Sequence, residues 1–334
     1  MRRVPTWTPD PARFPRFPLL DGPSPLHPLP RLSAALGDRA EIWIKREDLL
    51  PIALGGNKLR NLEFLVGQAL AEGADCLVTS GRRWSNHARL TAAAGATARL
   101  GVHLVLSGPP TDPPGPAVRL SRELGATVEV TETGERSERD AAVERVTARL
   151  REAGRRPYVI GVGGSGLVGA IGQVLAGIEL AGDAETAGFT PDEVVLASAS
   201  GGTQAGLLAG LATARLPTRV LGFAAAHPGD RLRPGIAAIL ADLATLPGIA
   251  PLPETSIVVD DSVLGRGYGV PTTEADEAAR LLATTEGILA DPIYTAKAVA
   301  GLVMRIRSGA LDGKRVVFWH AGGTPGLFEP LPSA

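Results

Sequence analysis

Short apolar runs alternate with longer segments of helical spacing along almost the whole chain. The apolar runs at 41–45, 75–80, 102–107, 127–130, 157–160, 193–197, 219–223 and 315–319 read as strands. Between them, apolar positions recur every three to four residues at 58–71, 86–100, 117–124, 137–153, 167–180, from 203, at 273–286 and at 294–307, which predicts helices. Strands and helices in alternation argue for an α/β fold, with open, mostly parallel sheets and helices on both faces. In such folds ligands bind beyond the carboxyl ends of the strands, so the loops leading from strand to helix carry the chemistry. Ahead of the first strand, residues 1–31 are rich in proline, which fixes φ and removes an N–H. They predict an extended arm, packed on the body through Trp7, Phe14, Phe17, Leu19 and Leu20. The polar stretch 131–139 reads as a surface loop.

Composition narrows this picture. The chain has 334 residues, enough for two moderate domains, with 44% hydrophobic and 21% charged residues. A net charge of −1 provides no general field for nucleic acid or an anionic membrane. The single cysteine, Cys76, lies in a strand-like run and reads as an inert core thiol, with no internal disulfide possible. The N-terminus lacks an apolar signal region, and no uninterrupted apolar run reaches the roughly 18 residues of a membrane span. A cytoplasmic location is the resulting expectation. The histidines at 27, 87, 103, 227 and 320 show no metal-ligand spacing, so no metal site is expected.

Four strand-end loops stand out. Ala53-Leu54-Gly55-Gly56-Asn57-Lys58 places a lysine in the first turn of a helix, where the helix dipole disfavours its protonated form. A lysine of lowered pKa suits attack on a carbonyl; the plainer reading is a surface lysine after a glycine turn. Residues 198–206, Ser-Ala-Ser-Gly-Gly-Thr-Gln-Ala-Gly, follow an apolar strand and open a helix. Small residues bare the backbone N–H groups there, and hydroxyls add donors, as a phosphate requires. Residues 161–166 spell G-x-G-x-x-G, yet no acid closes the next strand as a dinucleotide fingerprint demands, so the match reads as accidental. Ser85-Asn86-His87 begins a helix and either caps it or offers its N–H groups to a carboxylate.

Taken in order, these segments resemble the family that contains D-cysteine desulfhydrase and 1-aminocyclopropane-1-carboxylate (ACC) deaminase. The resemblance runs from about Pro23 to Phe328 and also covers Pro23–Ser33, Lys45-Arg46-Glu47-Asp48, Gly267-Tyr268-Gly269-Val270-Pro271, Asp291-Pro292-Ile293-Tyr294 and His320-Ala321-Gly322-Gly323. It implies a fold-type-II pyridoxal-phosphate (PLP) enzyme of two domains, a large one from residues 1–54 and 162–334 and a smaller one, 55–161, inserted in it. It further implies a homodimer with PLP in the cleft. Lys58 matches the Schiff-base lysine, Asn86 the residue at the cofactor's phenolic oxygen, and Ser200, Gly201, Gly202 and Thr203 the phosphate cradle. Ser85, Asn86 and His87 match the substrate-carboxylate loop, with Ser85 among the catalytic residues. Tyr268 and Tyr294 match active-site tyrosines, and Thr295 stands where ACC deaminases place a glutamate facing the pyridine nitrogen.

Three departures touch the expected site. Asn61 replaces a lysine, Ala321 fits neither branch, and Arg82-Arg83-Trp84 replaces a smaller run before Ser85, which brings Trp84 in as a substrate-wall residue. The expected reaction is a lyase or deaminase reaction on a small amino acid, with Lys58 as base at Cα, β-elimination, and release of a 2-oxo acid and ammonia. Alternatives are ring-opening deamination of ACC, a PLP-binding protein without catalysis, and an NAD-binding oxidoreductase resting on residues 161–166.

Overall fold

The computed structural model describes residues 6–108, 111–131 and 135–331. The first five residues of the arm, and 132–134 of the polar stretch, lie outside the described residues. In chain order the elements are β1 (Leu26–Pro28), α1 (Pro30–Ala35), β2 (Glu41–Arg46), α2 (Lys58–Ala71), β3 (Cys76–Arg82), α3 (Asn86–Ala98), β4 (Gly101–Ser107), α4 (Pro116–Glu123), β5 (Thr127–Thr131) and α5 (Arg136–Glu152). They continue as β6 (Pro157–Ile160), α6 (Leu167–Thr186), β7 (Glu193–Ser198), α7 (Gly202–Thr213), β8 (Arg219–Ala224), α8 (Gly229–Ala244), β9 (Val258–Asp260), α9 (Thr273–Glu286), α10 (Thr295–Arg307) and β10 (Arg315–His320).

The strands form two sheets. One runs β1-β2-β10-β7-β8-β9 and the other β5-β4-β3-β6. All pairings are parallel except β1 on β2, where Leu26 pairs with Lys45. Buried β-branched and aliphatic residues fill the strands, as parallel strands covered on both faces require. Sequence periodicity located the central strands well. It missed α8 and the short β1 and β9, which lie in segments rich in proline and glycine. It also carried the polar loop through Arg139, whereas α5 already begins at Arg136.

The arm packs as expected. Phe14 and Leu19 are buried, Trp7 donates to the Pro247 carbonyl at 2.9 Å, and Leu19 N donates to Glu63 Oε1 at 2.9 Å. A Cβ on Gly67 would stand 2.1 Å from the Pro15 carbonyl oxygen, so only glycine lets the arm lie this close to α2.

Helix α6 is long and apolar enough to cross a membrane by length and composition. Here it is a core helix, and two of its acids, Glu179 and Asp183, face buried cations. Lys45, fully buried, pairs with Glu179 at 2.7 Å and with Asp183, and donates to the Ser24 carbonyl at 2.6 Å. Arg60 on α2 pairs with Glu47 at 2.6 Å and Glu179 at 2.8 Å. Burial alone would lower the Arg60 pKa, but the two carboxylates raise it instead. This network ties α2 to β2 and α6. Removing one member would leave a buried charge unpaired, at a cost of about 3–5 kcal/mol.

Candidate active site

A cavity of about 640 Å³ opens where the carboxyl ends of strands from both sheets converge. Its walls come from the ends of β3 and β10, the starts of α2 and α3, the loops after β6, β7 and β8, the start of α5, and Tyr268 and Tyr294.

Lys58 lines this cavity, held by an unusual approach. Ile52, Ala53 and Leu54 have φ of 70°, 48° and 66°, and Gly55 and Gly56 follow at 64° and 129°. A non-glycine residue in the left-handed region costs roughly 1–2 kcal/mol, so this run needs outside support. Arg89, fully buried on α3, supplies it by donating to the carbonyls of Ala53 and Gly55, the latter at 3.2 Å. Asn57 continues the restraint. Its N–H donates to the Ala321 carbonyl at 3.0 Å, its Nδ2 donates to Thr203 Oγ1 at 2.8 Å, and its carbonyl accepts from Gln173 at 2.8 Å. Lys58 therefore starts α2 from a fixed backbone. Enclosure by protein pushes its pKa down to about 8, so the neutral amine, still the minority form near physiological pH, is far more abundant than for a free lysine.

The start of α7 lies beside it, tied on by the Asn57–Thr203 hydrogen bond. Gly201, at φ 81°, turns the chain into the helix, and Ser200, Gly201 and Thr203 line the cavity. The loop 161–166 packs on this turn. Ser165 Oγ donates to Ser200 Oγ at 2.7 Å. A Cβ on Gly163 would stand 2.5 Å from Ser200 Oγ, and one on Gly202 would stand 2.8 Å from Ser165 Oγ. The space between these loops is thus set by missing side chains, and helix N–H groups and hydroxyls surround it. The G-x-G-x-x-G run belongs to this cavity as its second loop, a role not read from the sequence.

Ser85 caps α3, its Oγ accepting from Ala88 N at 3.2 Å, and it lines the cavity with Asn86 and His87. The Thr79 hydroxyl donates to the Ile160 carbonyl at 2.8 Å. It must therefore accept from His87 Nε2, 3.0 Å away, which leaves His87 Nδ1 as a lone-pair acceptor. Among the described residues no partner meets that atom. Burial and the nearby Lys58 hold the His87 pKa down at about 3, so the ring is neutral. Tyr268 and Tyr294 share a hydrogen bond through their hydroxyls, and burial raises both pKa values, so both phenols are protonated at neutral pH.

Three residues expected in the site stand behind its wall. Trp84 packs edge-on against Tyr268, 5.9 Å between centroids, in space that a side chain on Gly269 would fill. Gly202 sits under Ser165. The Thr295 hydroxyl is committed to Asp291, donating to Oδ2 at 2.6 Å and accepting from the backbone N–H at 2.7 Å. Asn61 is likewise buried, donating to the Gly164 carbonyl at 3.1 Å. In the other direction, the cavity recruits Asn57, Ser165, Arg136, Arg139, His227 and Arg231, which the sequence reading passed over. Ser165, His227 and Arg231 follow strand ends, a signal that could have found them; Arg136 and Arg139 sit on a charged helix and carry none.

Lys58, the hydroxyls and free helix N–H groups of the cradle, and walls on which no described Asp or Glu appears together suit a ligand carrying both a carbonyl and a phosphate. A family model described as pyridoxal-phosphate dependent enzyme matches residues 18–322. D-cysteine desulfhydrase from Salmonella choleraesuis (strain SC-B67) is 41% identical, covering 96% of this chain and 98% of the relative, and that from Salmonella newport (strain SL254) matches equally well. A crystal structure described as an ACC deaminase homologue superposes with a TM-score of 0.87 at 35% identity, covering 95% of this chain and 94% of the other. A threonine deaminase from T.th., at 23% identity and a TM-score of 0.64, covering 90% of this chain and 92% of the other, shares the fold.

Proposed function

The chain belongs to the pyridoxal-phosphate dependent enzymes, and on that premise we propose that it is a lyase of the D-cysteine desulfhydrase type. It removes the α-proton and the β-substituent of a small amino acid, giving a 2-oxo acid and ammonia. The observation that carries this reading is Lys58, an amine of lowered pKa lining one cavity with an uncharged anion cradle.

The residues fit the cofactor. Lys58 Nζ would hold its carbonyl carbon, and the start of α7, with Ser200, Gly201, Gly202 and Thr203, would hold its phosphate. When bound, the cofactor supplies an electron sink for negative charge at Cα. The protein supplies position and protons. Lys58 Nζ, its pKa lowered toward neutrality, takes the Cα proton. The N–H groups that open α3 at Ser85, Asn86 and His87 orient the substrate carboxylate. The Tyr268 and Tyr294 hydroxyls, protonated and hydrogen-bonded to each other, line the same cavity and would hold a proton for a departing group. Thr295 acts by fixing Asp291, which accepts from the N–H groups of Ile293 and Tyr294 and so sets the start of α10.

The desulfhydrase reading is favoured over ACC ring opening by the threonine at 295 and by the 41% identity to desulfhydrases. We assign the four-stranded sheet and its helices, residues 55–161, to an inserted domain, and residues 1–54 and 162–334 to the larger one. A homodimer in the cytoplasm completes the proposal, the buried unpaired Cys76 being consistent with a reducing compartment. The test is release of 2-oxo acid and ammonia from D-cysteine and 3-chloroalanine by the purified protein, with borohydride fixing the cofactor on Lys58. Fixation on another lysine, or no release from any β-substituted amino acid, rejects it.

A further inference from the structure

We propose that the cavity receives an oxyanion on the substrate's Cβ, a sulfonate or a phosphate, held by Arg82, Arg139 and Arg231. This rests on the elimination reading above and names its substrate class.

Four arginines line this cavity, Arg82, Arg136, Arg139 and Arg231, beside His227. They come from three places in the chain: the end of β3, the start of α5 and the first turn of α8. Among the described residues no Asp or Glu shares the wall. Arg136 is exposed and pairs with Asp140 at 3.4 Å. Arg82, Arg139 and Arg231 form no ion pair among the described residues. Arg139 is buried, its Nη1 donating only to Ser107 Oγ at 3.2 Å, and its Nε has no partner among the described residues. All four act on His227, whose pKa is lowered first by burial and then by Arg231, Arg136, Arg82 and Arg139. Arg82 and Arg139 both also act on Tyr268, which places them on the tyrosine side of the cavity.

Arg139 is buried, Arg82 half-buried and Arg231 exposed, so the charge is desolvated mainly at Arg139, and no Asp or Glu among the described residues of the wall offsets it. The cofactor's phosphate has its own site in the cradle, built from N–H groups and hydroxyls. A second anion must therefore arrive with the substrate. Elimination requires that it depart, which a sulfonate or phosphate on Cβ can do and a carboxylate cannot. For the sulfonate, the Cα–H and Cβ–S bonds break. The proton goes to Lys58 Nζ and the bond pair leaves with sulfite. Water then takes the place of nitrogen, and the products are the 2-oxo acid, ammonium and hydrogensulfite. For the phosphate ester the Cβ–O bond breaks and inorganic phosphate leaves. In both, negative charge grows on the oxyanion as the bond breaks, where guanidinium groups stabilise it most.

The test uses the holoenzyme with cysteate, O-phosphoserine, cysteine and 3-chloroalanine in both hands, following 2-oxo acid together with sulfite or phosphate. We expect kcat/KM for one oxyanion substrate at least about tenfold above that for cysteine; the sulfonate and phosphate arms identify which. Binding is read separately by calorimetry with 3-sulfopropanoate, which lacks the amine and cannot react. Its affinity should fall at least about tenfold in Arg82→Gln and in Arg231→Gln, with partial recovery in Arg82→Lys. Preference for cysteine over both oxyanions, or unchanged 3-sulfopropanoate affinity in both glutamine variants, overturns the proposal. If 3-chloroalanine is consumed but neither oxyanion is, elimination stands and the oxyanion site falls. If nothing is consumed, both fall.

Discussion

The two ends of the cavity are built on opposite principles. Around Lys58 the wall is made of glycines, hydroxyls and backbone, with several positions where one added carbon would collide. Around Tyr268 it is made of long arginines from distant elements, with spare donors and no acid to meet them. The first end has a single shape and suits a group that is always the same. The second presents charge without a fixed partner and suits the part of the reaction that differs between enzymes. Cofactor chemistry and substrate choice are thus separable in this molecule.

Four experiments would break or sharpen that separation. The largest effect belongs to Lys58→Ala, which should lower turnover of every substrate by about 10⁴-fold or more while leaving the melting temperature of the cofactor-free protein nearly unchanged. Steady-state rates and thermal melts check it; selective loss on charged substrates alone would merge the two ends. Next is Gly163→Ala, which adds a Cβ 2.5 Å from Ser200 Oγ at a position with φ of 72°. Cofactor affinity, measured by equilibrium dialysis, should fall about 10- to 100-fold, with a stability loss of about 1–2 kcal/mol from the left-handed backbone.

The third is a pH profile. The folded-state pKa of Lys58 is lowered, so its neutral amine accumulates as pH rises through about 8, not near the free-lysine value of 10.5. Cofactor uptake by stripped protein should quicken about tenfold per pH unit below that point and level off above it. The same sign gives stability that increases as pH rises between about 8 and 10.5. A midpoint near 10 in stopped-flow absorbance would mean that Lys58 is not enclosed. The smallest effect is expected for Arg136→Gln. That arginine is exposed and shared with Asp140, so kcat/KM for an oxyanion substrate should drop only about two- to threefold. A loss as large as that of Arg82→Gln would extend the second end out to the rim.

The two ends also differed in how legible they were. Strand periodicity picked out the loops that hold Lys58, Asn86 and the 200–203 turn, and the family resemblance assigned their roles; a close backbone approach demands small residues next to one another in sequence. The charged end left no such trace. Arg82 and Arg139 are 57 positions apart, and only the order β5-β4-β3-β6 brings the end of β3 near the start of α5. Residues 161–166 were left without a place in the site for a related reason: a glycine pattern reports a tight turn but not the group it faces. Thr295 and Trp84 were placed one layer too far forward. Motif position gives the segment, while side-chain direction depends on neighbours such as Asp291 and Gly269.

The left-handed run at Ile52–Leu54 bears on how this enzyme could be made hardier. Three non-glycine residues there hold a conformation that glycine adopts freely, and Leu54 is more than half exposed, so no core packing compensates for it. Glycine at these positions would relieve local strain and would be an early choice in any search for a more heat-resistant variant. The same exchange would loosen the backbone from which Lys58 is presented, since Arg89 can clamp carbonyls only where the chain keeps its path. Resistance to heat and readiness for chemistry therefore pull in opposite directions at these three residues, and a stabilised variant would best leave them as they are.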